Sequence, residues 1–214
     1  MKTNIYCFTI KHYAVLNRLP NNFIPFGLGS EDFPSHWLTE KEGKNIMHLN
    51  NFYGEATGMY WIWKNHLKNL DKKSKIGFCQ HRRLWLNDLF NEKQKKSFNS
   101  LFSQLLTEDN QRLKSSETIL IQPTIFKNEN LIQQFDKLYG EKILLDCVNF
   151  IEEKDKNDFI TFLKSNKLSI CNMFITEIEI FNQYCHDMFN WIDKCYNYCM
   201  NKNLLTTHNS RLAI

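Results

Sequence analysis

Long apolar runs are missing from this 214-residue chain. Nothing approaches the ~20 consecutive apolar residues of a membrane-spanning helix, so no such span is expected. The N-terminal stretch MKTNIYCFTIKHY has no small-residue cleavage site, so it reads as a first strand rather than a signal peptide. Strong charge is missing too. A formal net charge of +4 favours anionic partners but falls short of a dedicated nucleic-acid binder, and the lysines are interspersed with acids. No linker, repeat or low-complexity block interrupts residues 1–214, which are therefore read as a single domain. Paired cysteine motifs are absent as well. The seven cysteines are odd in number and lack a secretory context, which indicates free thiols in a reducing cytoplasm. The C-x3-C spacing at Cys195 and Cys199 has no second pair to complete a metal site. Ile178, Phe181, Cys185, Met188, Ile192, Cys195 and Cys199 recur at helical steps, which makes these thiols part of one apolar stripe.

Apolar residues make up 43% of the chain and aromatics 14%, enough for a sizeable core. Buried strands are expected at 4–10, 23–26, 75–79, 118–121 and 170–175. Helices are expected from residue 51 or 52 to 70, over 98–106, and over 130–139 with a stop at Gly140. One or two more fall within 141–165. A last long helix runs to about Met200, opened by a capping box, Thr176-Glu177-Ile178-Glu179. Residues 27–51 form a long irregular segment that Trp37, Leu38, Ile46 and Met47 hold down. Strands separated by helices predict an α/β domain with a mixed central sheet flanked by helices.

The densest stretch is 43–83. There a polar loop and an aromatic helix lead into the short strand KIGFC, followed by Gln80-His81-Arg82-Arg83. Two guanidinium forks at the carboxyl edge of an open sheet suit an anionic, phosphate-bearing ligand. Surface salt bridges are the plainer use of such a pair. No Asp-x-Asp occurs, so the usual carboxylate cradle for a divalent ion on a diphosphate is lacking; the arginines can do that neutralising work instead. The sequence leaves Mn²⁺ or Mg²⁺ open as a cofactor and names none. Trp61, off the core stripe, either stacks on a ligand or packs against a strand.

Asn45-Ile46 with Asn50, the block from Glu55-Ala56-Thr57 to Tyr60-Trp61-Ile62-Trp63-Lys64-Asn65, and Ile76-Gly77-Phe78 with Arg82-Arg83 together resemble one bacterial family. Its members are the capsular-polysaccharide and lipooligosaccharide glycosyltransferases formerly catalogued as a domain of unknown function. Asn172-Met173-Phe174-Ile175 with Phe181 and Tyr184 extends the likeness over nearly the whole chain. Gln80-His81 stands where the family has His-Tyr, and the chain ends early, at Arg211-Leu212-Ala213-Ile214, so a shortened C-terminus is expected.

The resemblance implies a GT-A-like domain that moves a hexose from a nucleotide-diphosphate sugar, UDP-linked by expectation, to a surface-glycan or lipid-linked acceptor. Membrane contact is at most peripheral in this reading. It implies substrate contacts from Thr9, Lys11, Asn45, Asn50, Thr57, His81, Arg82, Arg83 and Asn172, with Asp146 or Glu55 as the base that deprotonates the acceptor. Each has a plainer alternative: Asp146 as a surface acid, Glu55 as a first-turn acid favoured by the helix dipole, and Asn172 as a cap. A non-catalytic nucleotide-sugar-binding or assembly module would carry the same motifs.

Overall fold

The computed structural model describes residues 2–87, 102–114 and 118–204. Its centre is a six-stranded sheet in the order β3-β2-β1-β4-β8-β5. The strands are β1 (Thr3–Thr9), β2 (Phe23–Gly27), β3 (Leu38–Thr39), β4 (Lys75–Gln80), β5 (Ile119–Leu120) and β8 (Phe174–Glu177). β1 to β4 are mutually parallel, β8 runs antiparallel to β4, and β5 runs antiparallel to β8. A second ribbon pairs β6 (Thr124–Ile125) with β7 (Lys167–Leu168).

Every residue of β1 is buried, as expected of a parallel strand covered on both faces. Ile5 and Cys7 face one core with Cys79, Phe23 and Trp37. Tyr6 and Phe8 face the other with Phe26 and Phe78. Phe78 stacks on Phe8 at 5.7 Å and meets Phe181 of the last helix at 4.9 Å. Each such phenyl ring taken from water contributes about 1.5–3 kcal/mol.

The connection from residue 50 to 69 is a broken helix: α1 (Asn50–Tyr53), α2 (Ala56–Trp61), a π-helical turn at Ile62–His66, then a 3₁₀ turn at Leu67–Asn69. The continuous helix expected here fails at Gly54, whose φ of +56° and ψ of −133° form a kink that favours glycine. Gly58 lets α2 press onto the sheet: a Cβ there would lie 2.6 Å from both Phe8 and Leu28.

Beyond a short turn, α3 (Gln111–Lys114), three helices follow: α4 (Leu131–Tyr139), α5 (Ile143–Val148) and α6 (Glu153–Leu163). Asn130 and Gln133 cap α4 reciprocally, and Gly140 ends it at φ +111°. α7 (Ile178–Asn201) buries the whole expected stripe, and all seven cysteines are free thiols.

Three expectations are corrected. The late strand begins at Phe174 rather than residue 170, because Cys171 and Asn172 adopt left-handed backbone at φ +73° and +46°. The capping box does not form: Glu177 is the N-cap without a side-chain bond, and Thr176 pairs its hydroxyl with that of Thr118 across the sheet, 2.7 Å away. β4 stops at Gln80, and Gln80 to Arg83 close a tight turn, so the arginines project from a turn rather than a strand end. Of the helix expected over 98–106, residues 98–101 lie outside the described residues; over 102–106 no continuous helix forms, and Leu105 makes an isolated bridge to Leu86.

Candidate functional site

The chain runs outward from β1 to β2 and β3, then returns to place β4 on the opposite side of β1. The reversal opens a crevice beyond the carboxyl ends of β1 and β4, the position at which open α/β sheets bind ligands. A pocket of about 310 Å³ lies there, lined by Thr9, Asn50, Glu55, His81, Arg82 and Arg83, with Gln80 and Cys171 among its other walls. Six of the eleven residues expected from the sequence to contact substrate or serve as base therefore converge on it.

The turn after β4 is fixed by backbone bonds. Gln80 N donates to Arg83 O at 3.2 Å, Arg83 N to Gln80 O at 2.9 Å, and His81 N to Phe8 O at 3.1 Å. Both arginines are exposed, and among the described residues neither forms an ion pair. Arg83 Nη1 donates to the Gln80 side-chain oxygen at 3.3 Å, while Gln80 Nε2 donates to Glu55 Oε1 at 2.7 Å. Gln80 thus spaces the carboxylate from the guanidinium without neutralising it.

His81 stacks on Tyr13 with ring centroids 4.6 Å apart. Its burial, then the charge of Arg82, lower the imidazole pKa against the pull of the Phe8 backbone, so the ring is largely neutral at pH 7. Thr9 is held by donating to Lys11 O at 2.7 Å, and its own carbonyl accepts from Leu28 N at 2.9 Å. Asn50 Nδ2 donates to Gly54 O at 3.1 Å and to Thr57 Oγ1 at 3.0 Å, which fixes it across the kink.

The other five expected residues lie elsewhere. Thr57 is fully buried beneath Asn50 and supports it rather than facing the pocket. Lys11 contributes its backbone to Thr9, and its side chain does not line the pocket. Asn45 closes a local turn by accepting from Met47 N at 3.3 Å and donating to Gly43 O at 3.1 Å. Asn172 adjoins the lining residue Cys171 without lining the pocket itself. Asp146 is on α5, where its carboxylate accepts from Tyr198 OH at 2.6 Å, and it is not a pocket residue. Trp61 packs edge-on against Phe26 of β2 and donates to Glu42 O, the strand-packing alternative.

Sequence reasoning missed Gln80, Cys171 and Glu40. Glu40 follows β3, is fully buried, and accepts from Gly29 N at 2.8 Å. Burial raises its carboxyl pKa, with the Gly29 amide and the Thr57 hydroxyl pulling the other way. A two-residue strand gives no periodicity that would mark this acid as buried.

The pocket offers one carboxylate beside two guanidiniums. Among the described residues no three His, Cys, Asp or Glu side chains gather as metal ligands. Among the described residues that donor set does not fit a divalent cation.

The profile of a family described as a domain of unknown function, DUF4422, matches residues 4–212. No curated protein matches the sequence. Among solved structures, the apo form of WbbM, a bifunctional glycosyltransferase, superposes with a TM-score of 0.74 at 23% identity. The match covers 92% of this chain and 37% of that one. At that identity the likeness establishes the fold, and this chain spans little more than a third of the WbbM chain.

Proposed function

The chain belongs to the DUF4422 family, and we propose that it is a glycosyltransferase that moves a hexose from a nucleotide-diphosphate sugar, UDP-linked, to a surface-glycan acceptor. The observation that carries this reading is the pair of exposed arginines on the switch-point pocket beside Glu55, without ion pairs among the described residues. The fold shared with a glycosyltransferase, WbbM, adds to it.

In this reading Arg82 and Arg83 take the diphosphate oxygens through charge-assisted forks, and Thr9 and Asn50 contact the sugar. Glu55 is the base, because it lines the pocket and Asp146 does not. Glu55 accepts the proton of the acceptor hydroxyl, whose oxygen bonds to the anomeric carbon. The bond from that carbon to the diphosphate breaks, and its electron pair departs on UDP. The guanidiniums stabilise the charge that grows there, which is where preorganised electrostatics contribute most. Neutral His81 leaves the two guanidiniums as the pocket's main positive charges. Among the described residues no helix is long and apolar enough to cross a membrane, which is consistent with work at the cytoplasmic face on capsule or lipooligosaccharide acceptors.

A thermal-shift panel of nucleotide sugars, followed by a donor-hydrolysis assay, tests the reading. A raised midpoint with a UDP-sugar, and release of UDP on turnover, are expected. A raised midpoint without hydrolysis or transfer would favour a non-catalytic binding module. No shift with any nucleotide sugar would end the assignment.

A further inference from the structure

A second concavity, of about 550 Å³, lies between α6 and α7. Its apolar wall carries Phe159, Phe162 and Trp191, with Phe159 meeting Trp191 edge-on at 5.5 Å. Phe162 is 43% exposed, unusual for so large an apolar side chain. Asp155 and Asp158 line the groove from the same face of α6 as Phe159 and Phe162, and are themselves exposed. The helix dipole accounts for Asp155 in the first turn of α6, but not for Asp158 one turn later on the same groove.

This pairing of aromatic faces with carboxylates selects among ligands. An anion would meet like charge, and a wholly apolar ligand would strip water from the acids without replacing their hydrogen bonds. A sugar chain satisfies both the rings and the acids. The C–H face of each pyranose ring is apolar and lies on an aromatic ring, while its edge hydroxyls donate to carboxylates.

A line of contacts runs from the groove towards the pocket, through Tyr184. Tyr184 lines the groove and packs on Phe174 at 5.2 Å, three residues after the pocket residue Cys171. Burial raises the Tyr184 phenol, and the charges of Cys185 and Glu55 add to the rise.

We propose that the groove between α6 and α7 is the subsite for the acceptor glycan, its rings stacked on Phe159, Phe162 and Trp191 and its hydroxyls bound by Asp155 and Asp158. The proposal rests on the transferase reading for the word acceptor. The groove's affinity for oligosaccharide rests on its own walls.

The test uses the full chain on an array of neutral and acidic oligosaccharides, with calorimetry on the strongest binder. Phe162→Ala and Asp158→Asn alter exposed positions and are expected to keep the wild-type melting midpoint. Each should weaken glycan binding roughly tenfold while leaving the midpoint shift with UDP unchanged. Absence of binding across the array, or affinity undiminished in both variants, overturns the proposal. So does preferential capture at this groove of a Lys/Leu amphipathic peptide, run as a parallel probe for a basic protein partner. Glycan affinity lost in both variants alongside no UDP shift in wild type would keep the groove as a glycan site and remove the donor pocket instead.

Discussion

The pocket at the sheet edge and the groove beside α7 are two concavities built from contrasting materials. The pocket takes its residues from strand ends, the turn after β4 and the kink between α1 and α2, and its guanidiniums stand exposed without ion pairs among the described residues. The groove takes its residues from two helix faces, with aromatic rings and acids interleaved along α6 and Trp191 on α7. The first geometry rewards an anion held at a fixed point. The second rewards a neutral chain lying along a surface. A transferase needs both, because the leaving group is highly charged and the acceptor need not be.

The sharpest way to break this contrast is to remove the guanidiniums. Arg82→Ala and Arg83→Ala should each weaken UDP binding by about 1.5–3 kcal/mol, the worth of a hydrogen bond to a charged group. Glycan binding at the groove should be untouched. Calorimetry with both ligands on each variant decides it, and equal losses for both ligands would erase the distinction between the two sites.

Gly54→Ala should come next. Its positive φ of 56° disfavours a Cβ, so about 1–3 kcal/mol of stability should be lost, measured by urea denaturation. Because Asn50 donates to Gly54 O, the remaining folded protein should bind the donor less well and glycan as before. An unchanged stability would mean the kink relaxes without strain.

A smaller effect concerns pH. Burial lowers the pKa of His66, so the folded state holds fewer protons on it than the unfolded chain does. Its contribution is complete above the unfolded value of about 6.5 and is lost as pH falls from there towards the lowered folded value. His66→Gln should flatten the decline in melting midpoint across that acid window and leave the midpoint at pH 8 nearly unchanged. A decline as steep as in wild type would locate the sensitivity in other groups. His81 is lowered in the same direction but faces the pocket, so His81→Gln should additionally alter the pH dependence of donor affinity. The smallest expected effect is that of EDTA or Mn²⁺ on UDP affinity, since one carboxylate beside two guanidiniums gives a cation little to hold.

Much of the frame was legible in the sequence because burial on both faces leaves an uninterrupted apolar run. Asn4–Ile10 and Lys75–Cys79 read directly as central strands, and the stripe from Ile178 to Cys199 read as one buried helix face. What escaped was decided by backbone geometry and by pairing across the sheet. Thr176 looked like a cap but found Thr118 instead, and Asn172 looked like a strand residue until its left-handed φ placed it in a turn. Glu55 and the arginines were legible as chemistry; that Gln80 would stand between them was not, since that depends on where β4 ends. Asp146 entered the expected site through the family resemblance; in the structure its carboxylate accepts from Tyr198, 52 residues further along the chain.

The most direct measurement is a crystal structure of the full chain with UDP. The account predicts the diphosphate between the guanidiniums of Arg82 and Arg83, about 2.7–2.9 Å from their nitrogens, with Glu55 on the open side. UDP seated away from the ends of β1 and β4, with both arginines still in solvent, would contradict it.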